Sequence, residues 1–296
     1  MKIVRIQGGL GNQMFQYALA FKLKQLNPDE RVMMDLTQFK GYTWHPYELK
    51  NVFDVDFPVA SFSEIAKFTI PFSGYTRMGR LANFIFEKLP LKREPVVVEK
   101  GQFEFEESIL TKDGNVYYDG YWCNQGYFAD IRSTLLDVFS FKPTLSKKND
   151  DLKQNVLYGN SVSVHVRRGN YLLFDEYKDI CERPYYEKAI QYIKEHVDNP
   201  HFYVFSNDIQ WCKDNLHDLM DKCTFVENSD SKTNYVDMQL MSCCKHNIIA
   251  HSTFSWWAAW LNTNSNKIVV APYVWNNNYK AVGPQLEDWV LISNKD

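Results

Sequence analysis

Several features that would assign the chain to a class early are missing from it. No block of Lys and Arg is dense enough to make a nucleic-acid-binding face, and the formal net charge is −3. Phosphate-backbone binding needs a concentrated positive patch, so nucleic acid is not expected as a partner. None of the six cysteines, at 123, 181, 212, 223, 243 and 244, forms a Cys-x-x-Cys pair, and no Cys/His set has the spacing of a zinc site. The thiols read as free, in a reducing cytoplasm. A signal-peptide stretch is lacking too: Met1-Lys2-Ile3-Val4-Arg5-Ile6 reads as a first strand. The most apolar segment, 248–261, is broken by His251, Ser252, Thr253 and Ser255 and is too short to cross a bilayer. The expectation is a cytoplasmic chain without a transmembrane segment, with peripheral work at the inner face of the membrane left open. No internal repeat or low-complexity segment is visible.

What is present suits an ordinary globular protein. The chain has 296 residues, 45% hydrophobic and 23% charged, enough for two packed α/β domains. The aromatic share of 16% is high. Surplus Tyr and Trp suit sugar-binding surfaces, although most rings in any fold are core. Residues 3–6, a glycine turn and a helix over 12–26 stopped by Asn27-Pro28 read as a βαβ opening, with a second strand at 32–34 ending at Asp35. Between 37 and 135 only 96–98 and 116–118 look strand-like. A polar stretch, Ser146-Lys147-Lys148-Asn149-Asp150-Asp151, marks the expected boundary between domains at 1–150 and 151–296.

Beyond it, strands at 161–166, 202–205, 224–226, 247–250 and 267–271 alternate with helices at 184–196, from about 209, 237–244 and 255–261. That alternation predicts a parallel, doubly wound sheet. Two such domains would face each other across a cleft, with ligands outside the carboxyl ends of the strands.

The motifs of interest fall at those strand ends. His165-Val166-Arg167-Arg168-Gly169-Asn170-Tyr171 closes the 161–166 strand. Alternation places His165 and Arg167 on one face and turns Arg168 to the other. A guanidinium there can hold a phosphate bidentately at any workable pH. Expelling a nucleoside diphosphate calls for such a charge when no metal supplies it. The same arginines could instead form surface ion pairs, but two of them directly after a Val-rich strand favour a site.

Gly8-Gly9-Leu10-Gly11-Asn12-Gln13 joins the first strand to its helix, where glycines allow close approach of a ligand and the helix N-terminus favours an anion. A dinucleotide fingerprint fits poorly because Met14 fills the third small-residue position. Asn12 and Gln13 could hydrogen-bond a sugar or phosphate, or merely cap the helix.

After the 247–250 strand, Ser252 and Thr253 offer an anion-binding turn. Ser255 could be an N-cap, and Trp256, Trp257 and Trp260 read as core. Asp237 could complement a helix dipole or accept from a guanine edge. Asp54-Val55-Asp56 is the one D-x-D, the pattern by which many sugar-nucleotide transferases hold a divalent metal; it lies away from the strand ends and reads as a solvated turn.

The segments Gly8-Gly9-Leu10-Gly11-Asn12-Gln13-Met14-Phe15-Gln16-Tyr17-Ala18, His165-Val166-Arg167-Arg168 and Ser252-Thr253-Phe254-Ser255-Trp256-Trp257 resemble the bacterial α-1,2-fucosyltransferases of glycosyltransferase family 11. Phe205-Ser206-Asn207-Asp208, Tyr47-Glu48-Leu49 and Gly120-Tyr121-Trp122 extend the resemblance nearly end to end. It implies a GT-B-like α/β fold of two facing Rossmann-like domains. It also implies a GDP-β-L-fucose donor and inversion to an α-L-fucoside, usually at O2 of a terminal galactose, without a bound metal or other cofactor. The partners implied are GDP-fucose and a galactose-terminated oligosaccharide.

By similarity Arg167 is the diphosphate-binding arginine and Asn12 the asparagine of the amino-terminal turn, the two catalytic candidates. Gly11, Gln13, His165, Arg168, Asp237, Ser252, Thr253 and Phe254 are the donor-binding candidates. The carboxyl-terminal domain would then carry the donor and the amino-terminal domain the acceptor. The chain departs from the family pattern at Asn170, usually Asp, and at His251, usually Asn. No general base is identifiable; Asp175, Glu176, His45 and Asp35 qualify by residue type alone. Another GDP-sugar as donor, or a sugar- or nucleotide-binding module without catalysis, remains open.

Overall fold

The computed structural model describes residues 1–89, 92–227, 233–278 and 283–293. Chain contacts divide it into two compact units, Met1–Pro143 and Thr144–Asp296.

Among the described residues of the first unit, four parallel strands stand in the order β2-β1-β4-β3. They are β1 (Lys2–Arg5), β2 (Val32–Asp35), β3 (Val96–Val98) and β4 (Val116–Asp119). β1 runs between β2 and β4, and its Ile3 and Val4 are fully buried. The helix α1 (Leu10–Leu26) starts two residues earlier than its sequence suggested, so Gly11 and Asn12 belong to its first turn. The hard-to-read middle holds the short helices α2 (Leu49–Val52) and α3 (Phe62–Ile65), then α4 (Arg77–Glu87). Their signals are local caps rather than long periodic runs: Ser61 and Glu64 form a reciprocal capping box on α3, and Thr76 caps α4. α5 (Arg132–Val138) follows β4.

In the second unit the polar stretch 146–151 forms the cap and first turns of α6 (Lys147–Tyr158), with Ser146 Oγ accepting from the Asn149 amide at 3.3 Å. Then come β5 (Ser161–Val166), α7 (Arg183–His196), β6 (His201–Ser206), α8 (Ile209–Leu216), β7 (Cys223–Val226), α9 (Tyr235–Cys243), β8 (His246–Ile248), α10 (Thr253–Leu261), β9 (Val269–Pro272) and β10 (Val290–Ile292). Among the described residues they build a six-stranded parallel sheet, order β10-β9-β8-β5-β6-β7. β10 was not anticipated; three apolar residues at an edge carry almost no pattern.

β5 is a central strand, paired on both sides and buried along its whole length. Its β-branched residues suit that place, each buried valine contributing roughly 1.5–3 kcal/mol. Its two serines are satisfied: Ser161 donates to the Val156 carbonyl at 2.5 Å and Ser163 accepts from Asn247 Nδ2 at 2.7 Å. On α7, Tyr186 donates to the His165 carbonyl at 2.9 Å and Tyr185 to the Ile249 carbonyl at 2.6 Å. These two phenols tie the helix to the ends of β5 and β8, where the candidate residues emerge. Trp256, Trp257 and Trp260 are buried and pack on one another, so they are core as expected.

Candidate active site

At the end of β5 the chain presents His165 and Arg167 to one side and Arg168 to the other. The Arg167 guanidinium is half-buried, lies 5.1 Å from the centre of the Tyr171 ring, and donates from Nη2 to Asn170 Oδ1 at 3.0 Å. Among the described residues it forms no ion pair. Gly169 makes the turn: its φ is +64°, and a Cβ there would stand 2.6 Å from Asn207 Nδ2. Asn207 Oδ1 accepts from the Arg168 amide at 2.9 Å, fastening the ends of β5 and β6 together.

His165 is buried, its ring centre 5.7 Å from that of Phe254 in the first turn of α10. Burial, then the charge of Arg167 and the nearby His251, push its imidazole down to about 3. It is neutral at working pH, and its Nδ1 is buried without a hydrogen bond among the described residues. His251 is buried too, with Tyr171 and Tyr177 at 5.1 and 6.0 Å between ring centres. Burial lowers it to about 3, a Tyr177 backbone group opposing and Arg167 assisting. Neither of its ring nitrogens makes a hydrogen bond of normal geometry among the described residues.

The next strand end completes the cluster. Ser252 occupies the N-cap position of α10 without capping it, its own amide donating to the Ala250 carbonyl at 2.7 Å. Thr253 and Phe254 form the first turn, which leaves the positive end of α10 beside His165. Ser255 is no cap: its hydroxyl donates back to the Ala250 and Ser252 carbonyls at 3.4 and 3.3 Å. Asp237 sits in the first turn of α9, the helix that follows β7 in the chain.

Two of the donor-binding candidates, Arg168 and Gln13, are held by other protein groups. Arg168 Nη1 donates to both oxygens of Glu182 at 2.8 Å, its Nε lies 3.6 Å from Asp208, and its guanidinium stacks on Trp211 at 4.0 Å. Strand alternation turns it toward α7 and α8, where it is a strut. Gln13 is fully buried, and its amide is spent on backbone: Nε2 donates to the Gly8 and Pro46 carbonyls, and Oε1 accepts from the Glu48 amide, all at 2.9 Å. These bonds tie the loop at Pro46 and Glu48 to the start of α1.

Gly11 is buried in the first turn of α1. Asn12 folds back over Gly8, whose φ is +77° and whose added Cβ would come within 2.6 Å of Asn12 Nδ2. His45 lies against the same turn, 3.5 Å from a Cβ built on Gly9.

Of the other base candidates, Asp35 accepts from the Thr37 amide and hydroxyl and from the Tyr117 hydroxyl at 2.6–2.8 Å. Asp175 pairs with Lys178 at the surface, and Glu176 accepts from Asn278 Nδ2. Asp54 and Asp56 are exposed, Asp56 within 3.5 Å of Lys50. Tyr171 and Tyr177 were missed. Their stacking at 4.7 Å walls the Arg167 side of the cluster, and only the turn at Gly169 brings them there.

Fold and site define an α/β protein of the GT-B-like class with an arginine and a helix N-terminus at one sheet edge. Residues 101–293 match the profile of glycosyl transferase family 11. The chain is 33% identical to an α-1,2-colitosyltransferase of Escherichia coli, over 98% of each sequence. It is 26% identical to the mouse galactoside 2-α-L-fucosyltransferase Sec1, over 99% of this chain and 74% of that one. The fucosyltransferase NodZ from Bradyrhizobium has a similar fold, with a TM-score of 0.50 at 14% identity, covering 87% and 90% of the two chains. A NodZ α-1,6-fucosyltransferase soaked with GDP-fucose gives 0.51, also at 14%, over 88% and 91%. This chain belongs to glycosyl transferase family 11.

Proposed function

We propose that the chain transfers L-fucose from GDP-β-L-fucose to O2 of a terminal β-galactoside, with inversion and without a metal. The observation that carries this reading is Arg167, held at the end of β5 by a neutral amide and unpaired with any described carboxylate. A guanidinium so placed is matched to a departing diphosphate. In the transfer the C1–O bond of the fucosyl group breaks and its electron pair leaves with the β-phosphate oxygen of GDP. The acceptor O2 bonds to C1 from the opposite face, and its proton passes to solvent or a nearby base. Arg167 and the N-terminus of α10 meet the charge that develops on the leaving group. Neutral His165 and Asp237 are assigned to the nucleotide, and Asn12 to the reacting sugar. The family, the fucosyl-transferring relatives and the GT-B-like fold support the donor. The six free cysteines, four of them buried, support a reducing compartment, which we take to be the cytoplasm.

A second reading is favoured by one observation, the 33% identity to a protein named for colitosyl transfer. Colitose is fucose without its 3-hydroxyl, so the same diphosphate machinery would serve both. The deciding experiment offers GDP-fucose and GDP-colitose separately with a β-galactoside, and reads product linkage by NMR. An α-1,2-fucoside is expected. Turnover with GDP-colitose alone would overturn the fucosyl assignment and leave the role of Arg167 standing. No turnover or hydrolysis of either donor would leave a binding module.

A further inference from the structure

The helix α4 is mounted with its apolar side outward. Its inner side is set by close contacts: a Cβ on Gly79 would come within 2.0 Å of the Ser73 carbonyl oxygen, and Phe86 packs edge-on against Phe72 at 6.1 Å. Thr76 Oγ1 accepts from the Gly79 amide at 2.9 Å, and Arg80 reaches back to the Gly74 carbonyl at 3.3 Å. With that side fixed, Met78, Leu81, Phe84 and Ile85 face solvent, 84, 63, 57 and 55% exposed. Met78, Leu81 and Ile85 fall at i, i+3 and i+7, one stripe of a helix. In an ordinary surface helix that stripe would be the buried one.

The charge around the stripe is one-sided. Between residues 77 and 94 five basic residues stand against two acidic ones, in a chain whose net charge is −3. Arg77, Arg80, Lys88, Lys92 and Arg93 are all exposed. The Lys88 ammonium lies over the Phe84 ring at 3.9 Å and the Arg93 guanidinium over the Phe86 ring at 5.4 Å, so positive charge stands directly against the apolar surface of the helix. Among the described residues no helix is long and apolar enough to cross a membrane.

We infer that α4 docks the protein on an anionic lipid surface, with Met78, Leu81, Phe84 and Ile85 entering the interface and the basic residues meeting the headgroups. An apolar stripe rimmed by Lys and Arg binds an interface by burial and by attraction to anionic lipid together. A second copy of the chain is the weaker occupant, since a twofold contact would set one basic rim against another. The inference does not depend on which sugar is transferred.

The test is flotation of the full chain with vesicles of phosphatidylethanolamine and phosphatidylglycerol, and with vesicles of phosphatidylcholine alone. The protein is expected to float with the anionic vesicles only, and less so as salt rises. Leu81→Glu/Ile85→Glu should lose on the order of a hundredfold or more in partitioning. Arg77→Ala/Arg80→Ala/Lys88→Ala should lose on the order of a hundredfold, at about fivefold per charge. Circular dichroism and thermal melts establish that both variants are folded. A wild-type chain that stays in solution with anionic vesicles would overturn the inference. So would binding that is equal on phosphatidylcholine, insensitive to salt and unchanged in the triple variant. A dimer in sedimentation equilibrium that Leu81→Glu/Ile85→Glu converts to monomer, without vesicle binding, would assign the face to a second copy.

Discussion

Arg167 Nη2 and Asn170 Oδ1 meet at 3.0 Å, and the partner is a neutral amide, not a carboxylate. The contact orients the guanidinium without neutralising it, and the neighbouring Arg168 shows the contrast, neutralised by Glu182. Two adjacent residues of one type therefore stand in different electrostatic surroundings, and their variants should separate.

Arg167→Lys is expected to cost on the order of a hundredfold or more in kcat with an unchanged melting curve, because lysine keeps the charge and loses the fork. Arg168→Ala should do the reverse. It removes a partly buried pair and the Trp211 stack, costing about 2 kcal/mol of stability, with a much smaller effect on turnover. Paired denaturation and kinetics on the two proteins check this, and a turnover loss at Arg168 exceeding that at Arg167 would reverse the assignment.

The amino-terminal turn gives a second separation. Asn12→Ala should lower turnover and leave GDP affinity within a few-fold, read by calorimetry and steady-state kinetics. Gly8→Ala should lower turnover in the same direction, since the new Cβ displaces Asn12 Nδ2 and demands a left-handed backbone from alanine. Gln13→Ala should act on stability instead, by about 3 kcal/mol, because it strands two carbonyls and the Glu48 amide.

Acid should destabilise the second unit through its two buried histidines. The folded chain holds His165 and His251 neutral down to about 3, whereas the unfolded chain takes up protons near 6.5. The unfolded state thus binds more protons between those values. This contribution to stability is intact above about pH 6.5 and is lost as pH falls toward 3. At pH 5 the loss amounts to about 2 kcal/mol per histidine. Urea denaturation at pH 7.5 and pH 5 reads it, and His165→Asn/His251→Asn should remove most of the difference.

Chelator should leave activity intact. Asp54→Ala and Asp56→Ala should each change stability by less than about 0.5 kcal/mol and turnover not at all, as both side chains are solvated. Loss of activity in EDTA that manganese or magnesium restores would require another source of leaving-group charge.

Strand and helix alternation after residue 160 was legible because a buried parallel strand must be a short apolar run, and 161–166 can be little else. The opposite facing of Arg167 and Arg168 followed from the two-residue period of a strand, and the tertiary contacts of both agree with it. α2 to α4 were not legible: their signals are caps and single close contacts, such as Gly79 against Ser73, that have no period. α4 adds a contradiction to the usual rule, because its apolar stripe faces out and only the packing of Gly79 and Phe86 decides that.

Residue type alone put Gln13 and Asn12 side by side as ligand candidates. Only the tertiary structure shows where the Gln13 amide is spent, since a polar side chain's partners depend on which backbone groups lie within its reach. Those groups, the Pro46 carbonyl and the Glu48 amide, are more than thirty residues away along the chain.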